Sequence, residues 1–288
     1  MDKTIETRDG LALHLCDWPL TGAKGTIVLV HGLGEHIGRY PHVGTFFNAQ
    51  GWRVVGFDQR GHGTSGGAHG RLAAADDLPA DLSRVIDRVR AEHPGPLVLV
   101  GHSLGGLVAA RFVAETVAAD RAPAVWARPV DALILSSPVL DTVMTPVQKM
   151  LLAVLGSLAP NLPIGNGIDP AGISRDPAVV SAYRADPLVH DRVTARLVRF
   201  IVDEGAFVRR VAPRWNVPTL LIYSGSDRLV ASAGSAAFAS AAPKGVVTAR
   251  AFSPLFHEIF NEPERAEVFA AVAGWLDTLP LSLFRSPR

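Results

Sequence analysis

The chain has one cysteine, Cys16, among 288 residues. A single thiol excludes an intrachain disulfide, so nothing argues for an oxidising compartment. Net charge is equally scarce: 28 Lys and Arg stand against 27 Asp and Glu, a formal +1. That balance, with no basic run and no aromatics interleaved among cations, excludes the footprint of a nucleic-acid binder. No continuous apolar stretch reaches the roughly 18 residues that a transmembrane helix needs. The opening residues, Met1 to Arg8, lack the apolar segment of a secretory signal. No His or Cys pair has metal-ligand spacing, and no glycine-rich stretch matches a phosphate-binding fingerprint, so neither metal nor cofactor is expected. Repeats and low-complexity segments are also absent. A cytoplasmic, cofactor-free protein of unspecified oligomeric state is the expectation.

What the chain does have is apolar residues, 48% of the total, enough for one large domain or a domain with an insertion. They fall in short runs. Leu11 to Trp18 alternates loosely and predicts a strand. Gly25 to Val30, Arg53 to Phe57, Pro96 to Val100, Ala132 to Leu135 and Pro218 to Tyr223 are continuous apolar runs, the pattern of strands buried on both faces. Val246 to Phe252 predicts a last strand. Helices are predicted at Tyr40 to Gln50, between Asp76 and Glu92, after Ser103, and from Ala266 to Leu279. Strands alternating with helices imply an α/β fold, a mostly parallel central sheet flanked by helices, with active groups at the carboxyl ends of the strands. The rhythm breaks between about Asp141 and Pro213, where prolines recur among helical pieces. This predicts a core of residues 1–143 and 214–288 with a helical cap inserted over 144–213.

Gly101-His102-Ser103-Leu104-Gly105 sits between a predicted strand and a predicted helix. Strand, Gly-x-Ser-x-Gly and helix together describe a nucleophile elbow, whose strained turn lifts the serine hydroxyl clear of the backbone. A serine hydroxyl needs a base, and the base needs an orienting acid. In the elbow fold these follow in the order Ser, Asp or Glu, His. Only His190 and His257 follow Ser103, and His190 lies in the predicted cap. His257, after the last strand, is the expected base. Asp227, just past a strong strand, is the expected acid, with Asp141 as its rival. An oxyanion hole needs two backbone donors. Leu104, which follows the nucleophile, is expected to supply one, and Leu33, in His31-Gly32-Leu33-Gly34, the other. His31, His62 and His102 have the wrong place in the order for the base and are expected to brace loops.

These segments carry a family resemblance. His31 to Tyr40 resembles the HGxGEHxxRY segment of monoacylglycerol lipases and related lysophospholipases. Phe57 to Ser65 is similar to their FDxRGHGxS segment, and Gly101 to Gly106 to their GHSMGG, with Leu104 in place of methionine. Asp186-Pro187-Leu188 and His257 to Glu262 resemble bacterial members. The resemblance covers nearly the whole chain and implies an α/β-hydrolase fold with a cap. It implies a serine esterase that cleaves monoacylglycerols or lysophospholipids through an acyl-enzyme, with Ser103, Asp227 and His257 as triad and Leu33 and Leu104 as oxyanion donors. It also implies that Glu35 and Arg39 shape the polar end of the pocket near the glycerol. The plainer reading of that pair is an ion pair bracing the loop. The cap is the least matched region, which leaves acyl length and head group open.

Met150 to Leu155, with Leu158, Leu162 and Ile164, makes the early cap apolar. One reading is packing over the sheet and lining of an acyl pocket. The other is a lipid-facing lid that touches a membrane surface transiently. A lipid ester is the expected partner. The rivals are a carboxylesterase for short soluble esters and, from another class, a non-catalytic hydrolase-fold ligand-binding protein.

Overall fold

The computed structural model describes residues 3–118 and 122–280. In chain order the elements are β1 (Thr4–Glu6), β2 (Ala12–Trp18), β3 (Thr26–Val30), α1 (Pro41–Ala49), β4 (Arg53–Phe57), α2 (Asp77–Glu92), β5 (Leu97–His102), α3 (Leu104–Val117) and β6 (Ala132–Ser136). Then come α4 (Pro146–Leu158), β7 (Ile164–Gly165), α5 (Pro177–Ala185), β8 (Arg192–Val193), α6 (Ala195–Val211), β9 (Thr219–Ser224), α7 (Ser232–Ala241), β10 (Val247–Phe252) and α8 (Arg265–Leu276). Eight strands form one sheet in the order β1-β2-β4-β3-β5-β6-β9-β10. From β4 to β10 the pairing is parallel; β2 runs antiparallel to both β1 and β4.

The continuous apolar runs make central strands because both faces of the sheet are covered. Successive side chains of a strand point to opposite faces, and the two cores sort by that alternation. Val28, Val30, Leu97, Leu99, Leu133 and Leu135 enter one hydrophobic cluster, where they meet α2, α3, α6 and α7 through Leu82, Leu107, Phe200 and Phe238. Ile27, Leu29, Val98, Val100, Ala132 and Ile134 enter the other, against α1 and α8 through Val43, Phe47, Val268 and Val272. Each such Val, Leu, Ile or Phe side chain contributes about 1.5–3 kcal/mol relative to an exposed position. A one-residue slip of β5 would exchange its two faces, so the register is fixed by burial on both sides.

Four elements have no counterpart in the sequence reading: the β7–β8 hairpin of the inserted stretch, and β1 and α7 outside it. β1 is three residues long and pairs only at the antiparallel edge. α7, Ser-Ala-Gly-Ser-Ala-Ala-Phe-Ala-Ser-Ala, has almost no apolar periodicity and is seated by one large side chain, Phe238, packed edge-on against Trp215. Between β6 and β9 the chain leaves the sheet. α4 buries none of its residues completely. β7 and β8 form a separate small hairpin. α6 carries Leu197, Phe200, Phe207, Val208 and Val211 into the core cluster that also holds α3. The stretch 144–213 therefore begins as an outlying helix and ends as a helix packed on the core.

Candidate active site

Ser103 joins β5 to α3 with φ +54° and ψ −117°, a conformation that L residues rarely adopt. Strain of this kind costs on the order of 1–3 kcal/mol and persists only where the surroundings enforce it. Here the Ser103 N–H donates to the Ser136 carbonyl (3.0 Å), and its own carbonyl accepts from Leu107 N–H (3.0 Å) and Val139 N–H (3.2 Å). The flanking glycines are required by close approach. A Cβ on Gly101 would lie 2.3 Å from the Gly105 carbonyl oxygen, and one on Gly105 would lie 2.3 Å from the carbonyl oxygens of Val30 and His31.

The carboxyl ends of β5, β9 and β10 bring three sequence-predicted residues together. Ser103 Oγ lies 2.8 Å from His257 Nε2, and His257 Nδ1 lies 2.7 Å from Asp227 Oδ2. The second oxygen, Asp227 Oδ1, accepts from the N–H groups of Leu229 and Val230, both at 2.9 Å. Burial pushes the Asp227 carboxyl up, but the hydrogen bond and charge of His257 and these two N–H donors outweigh it and hold the group below its ordinary value. The carboxylate is thus fixed on both oxygens and keeps the proton of His257 on Nδ1, leaving Nε2 to accept from the serine. Asp141 does not reach this site. It accepts from its neighbour Thr142 N–H and pairs with Arg209 at 3.3 Å.

Leu33 and Leu104 line the same cavity as Ser103 and His257. Neither backbone N–H has a protein acceptor among the described residues. Leu104 opens α3, so its N–H points from a helix N-terminus, where negative charge is favoured. The loop holding Leu33 is held from several sides. His31 Nδ1 donates to the Gly32 carbonyl (2.8 Å) while its Nε2 accepts from Gln59 N–H (2.9 Å). Glu35 Oε1 accepts from Gly32 N–H and from the Tyr40 hydroxyl, both at 2.6 Å. The other two histidines also make local bonds: His62 Nδ1 to the Arg60 carbonyl (2.9 Å) and His102 Nδ1 to Ser136 Oγ (3.1 Å). Burial, then the adjacent His257, pushes His102 down to about 3, so it stays neutral beside the site.

Glu35 and Arg39 are ion-paired at 2.6 Å. Glu35 lines the cavity; Arg39 does not. Instead the Arg39 guanidinium turns to Glu258, the residue after His257, with two bonds of 2.7 Å. Glu258 had no role assigned from sequence, because its partner is 219 positions away. Its adjacency to the expected base is the only local signal.

The cavity above Ser103 measures about 430 Å³. Its walls are Val139, Leu151, Leu152, Leu155, Ile173 and Val198, with others from α4 to α6. Glu35 and Glu258 lie at its polar end, and no Lys or Arg is among the described residues that line it. The inserted segment is stitched down at one side: His36 Nε2 to Asp186 Oδ2 (2.9 Å), His190 N–H to the Gly34 carbonyl (2.9 Å), and Glu258 N–H to the Ile173 carbonyl (2.8 Å). α4, by contrast, exposes Met150, Val154 and Leu158, the last at 82%. Among the described residues no helix is long and apolar enough to cross a membrane, and no group of three or more His, Cys, Asp or Glu is placed to hold a metal ion.

Comparison with known proteins agrees with this architecture. The monoacylglycerol lipase of Mycolicibacterium smegmatis is 35% identical over 90% of this chain and 90% of its own length. The phospholipase YtpA of Bacillus subtilis is 31% identical over 90% of this chain and 98% of its own. The crystal structure of Paleococcus ferrophilus monoacylglycerol lipase superposes with a TM-score of 0.80 at 33% identity, covering 93% of this chain and 99% of that one. The sequence profile described as serine aminopeptidase S33 matches residues 21–264, and with those relatives beside it the chain belongs to that family of α/β-hydrolases, in the company of the monoacylglycerol lipases.

Proposed function

We propose that this chain hydrolyses carboxylic esters of uncharged, lipid-like alcohols, monoacylglycerols first among them, through an acyl-enzyme on Ser103. The observation that carries the reading is the hydrogen-bonded row Ser103–His257–Asp227 opening onto an apolar cavity. In this reading His257 Nε2 takes the Ser103 proton as Oγ attacks the ester carbonyl. The N–H groups of Leu33 and Leu104 hold the oxyanion, each contributing roughly 3–4 kcal/mol at the transition state. His257 then protonates the departing alcohol, and water releases the fatty acid by the reverse roles. Asp227 fixes the imidazole tautomer and stabilises its charged form.

The head-group preference follows from charge. Glu35 and Glu258 bring two carboxylates to the polar end of the cavity, and Arg39 neutralises only one equivalent. An anionic phosphodiester would be repelled by the residual negative charge there; an uncharged glycerol would not. This favours a monoacylglycerol over a lysophospholipid, although one relative is named a phospholipase. Segment 144–213 acts as the cap in this reading, with α6 as its anchor. The exposed apolar face of α4 makes transient contact with a lipid surface, from which the substrate enters.

The test is fatty-acid release from monoacylglycerols of graded chain length, beside a lysophospholipid and p-nitrophenyl acetate, with Ser103→Ala as blank. Preference for medium or long monoacylglycerols supports the reading. Turnover of the acetate alone reassigns the chain as a short-ester carboxylesterase, and preference for the lysophospholipid overturns the charge argument. No turnover, with no labelling by a fluorophosphonate, points to a ligand-binding protein.

A further inference from the structure

Three separately built parts of the site meet at one side chain. The oxyanion loop reaches it through Glu35, whose Oε1 accepts from Gly32 N–H at 2.6 Å and whose Oε2 accepts from Arg39 Nη1 at 2.6 Å. The His257 loop reaches it through Glu258, whose two oxygens take Arg39 Nη1 and Nη2, each at 2.7 Å. The inserted segment reaches it through Tyr183 of α5, whose ring lies 4.8 Å from Arg39 Cζ. Every member is shielded: the side chains of Arg39, Glu35 and Glu258 are 11%, 4% and 6% exposed. Three of the five guanidinium N–H groups, both of Nη1 and one of Nη2, are taken by carboxylates inside the protein. Two further donors close the network, the Tyr40 hydroxyl on Glu35 (2.6 Å) and Asn261 Nδ2 on Glu258 (2.8 Å).

We infer that Arg39 is a positioning residue: it sets the spacing between the oxyanion loop and the loop that carries His257, and it is not a ligand for the alcohol of the substrate. This deepens the proposed hydrolase reading and rests on it. The geometry requires such a device. The two loops come from opposite ends of the chain, yet the Leu33 N–H and His257 Nε2 have to serve the same carbonyl carbon. Gly32 lies against the nucleophile so closely that a Cβ there would sit 3.2 Å from Ser103 Cβ, so packing blocks approach of the loop while the Arg39 network restrains its separation. A guanidinium whose planar fork grips one carboxylate with both arms while one arm also holds the other fixes distance and orientation together. Lysine, a single point charge, holds one carboxylate at a time. Burial raises the charged network's dependence on each member, because removing Arg39 leaves two carboxylates buried with no counter-charge. They would repel, and the loops they belong to would separate.

A substrate ligand and a positioning residue leave different kinetic marks. Arg39→Ala and Arg39→Lys are compared with wild type on a long-chain monoacylglycerol, on p-nitrophenyl butyrate, which has no glycerol, and in the rate of labelling by a fluorophosphonate, which has neither. A displacement of about 1 Å at a reacting group costs on the order of 100-fold in rate. Positioning therefore predicts that kcat falls on the order of 100-fold for both esters with KM little changed, that labelling slows in parallel while still reaching every molecule, and that lysine restores part of the loss. A rise in KM for the monoacylglycerol alone, with p-nitrophenyl butyrate and labelling at wild-type rates, overturns the inference and makes Arg39 a head-group ligand. Wild-type rates per folded molecule on all three overturn it in favour of a purely structural brace. If Arg39→Ala does not fold, Arg39→Lys and Glu258→Gln carry the same comparison. Wild-type labelling without monoacylglycerol turnover would sink the lipase reading and leave this inference standing on the other two measurements.

Discussion

Arg39 and Glu258 stand 219 positions apart and meet through two bonds of 2.7 Å, one from each arm of the guanidinium. The contact puts a residue of the short turn before α1 beside the residue that follows His257. It ties the first and last thirds of the chain together at the point where the chemistry is expected, and it sets the frame for predictions about the groups around it.

Replacing Ser103 separates chemistry from strain. Ser103→Ala is expected to lower ester hydrolysis by about four to six orders of magnitude, roughly what a triad residue costs, and to abolish fluorophosphonate labelling. Its stability should stay close to wild type, because alanine inherits φ +54°. Ser103→Gly should be equally inactive yet more stable, by about 1 kcal/mol, because glycine adopts that conformation without strain. Urea midpoints of the two variants check the difference; equal midpoints would mean the elbow is unstrained.

Asp227→Asn is expected to leave the loop in place while lowering kcat about 10⁴-fold, because an amide permits the wrong imidazole tautomer. The Asp227 carboxyl is held below its ordinary value. A depressed carboxylate adds stability that is present above its unfolded value and is lost as pH falls through the folded one. Asp227 is therefore ionised throughout the range above about pH 4, and it should contribute no inflection to the pH–rate profile there. An inflection between pH 4 and 6 that Asp227→Asn removes would refute this.

Histidine burial makes the fold acid-sensitive. His31, His62 and His190 lie in a row, with ring centroids 5.3 and 4.6 Å apart. Burial pushes all three below their ordinary value, His190 to about 4. The sign follows directly. As pH falls below about 6.5 the unfolded chain takes up protons that the folded chain refuses, so stability declines by up to about 1.4 kcal/mol per pH unit for each such histidine. The decline levels off once the folded groups themselves titrate. Denaturant unfolding at pH 7.5 and pH 5 measures it, and His62→Gln should reduce the slope. A stability that is flat over that interval would contradict the burial argument.

The apolar face of α4 has its own readout. Met150→Asp with Leu158→Asp is expected to reduce partition onto neutral phospholipid vesicles at least tenfold, since each side chain transferred into lipid is worth about 1.5–3 kcal/mol. Both residues are exposed in the free protein, so stability and turnover of p-nitrophenyl acetate should be unchanged. Equal sedimentation of variant and wild type with vesicles would remove membrane contact from the account.

Much of this was legible in the sequence because the governing interactions are local. The apolar runs read at Gly25 to Val30 and Pro96 to Val100 lie in the buried strands Thr26–Val30 and Leu97–His102, because a run apolar on both faces can be satisfied only in a covered sheet. The elbow is a five-residue motif, and chain order, with His190 set aside in the cap, selected the histidine that lies 2.8 Å from Ser103 Oγ. The acid was harder: Asp141 and Asp227 both follow strands, and only the turn geometry, which points Asp141 at Arg209, separates them. α7 escaped notice because its burial rests on Phe238 and on small residues that carry no periodic signal. The Arg39–Glu258 fork escaped for a different reason. Nothing in either segment encodes the other, and their meeting is a property of the assembled sheet.

The stitching of the inserted segment is uneven. Residues 173 to 190 are bonded to the loops that bear Gly34, His36 and Glu258, whereas α4 buries no side chain completely. Variation is consequently partitioned along the chain. On the proposed function, changes in α4 would reshape the cavity wall without touching Ser103, His257 or Asp227, so that stretch would be free to diversify toward new acyl lengths. Changes between 173 and 190 would be transmitted to the loops bearing Gly34, His36 and Glu258, and would be confined to those that preserve them. A designer seeking altered selectivity at constant turnover would graft the first stretch and leave the second untouched.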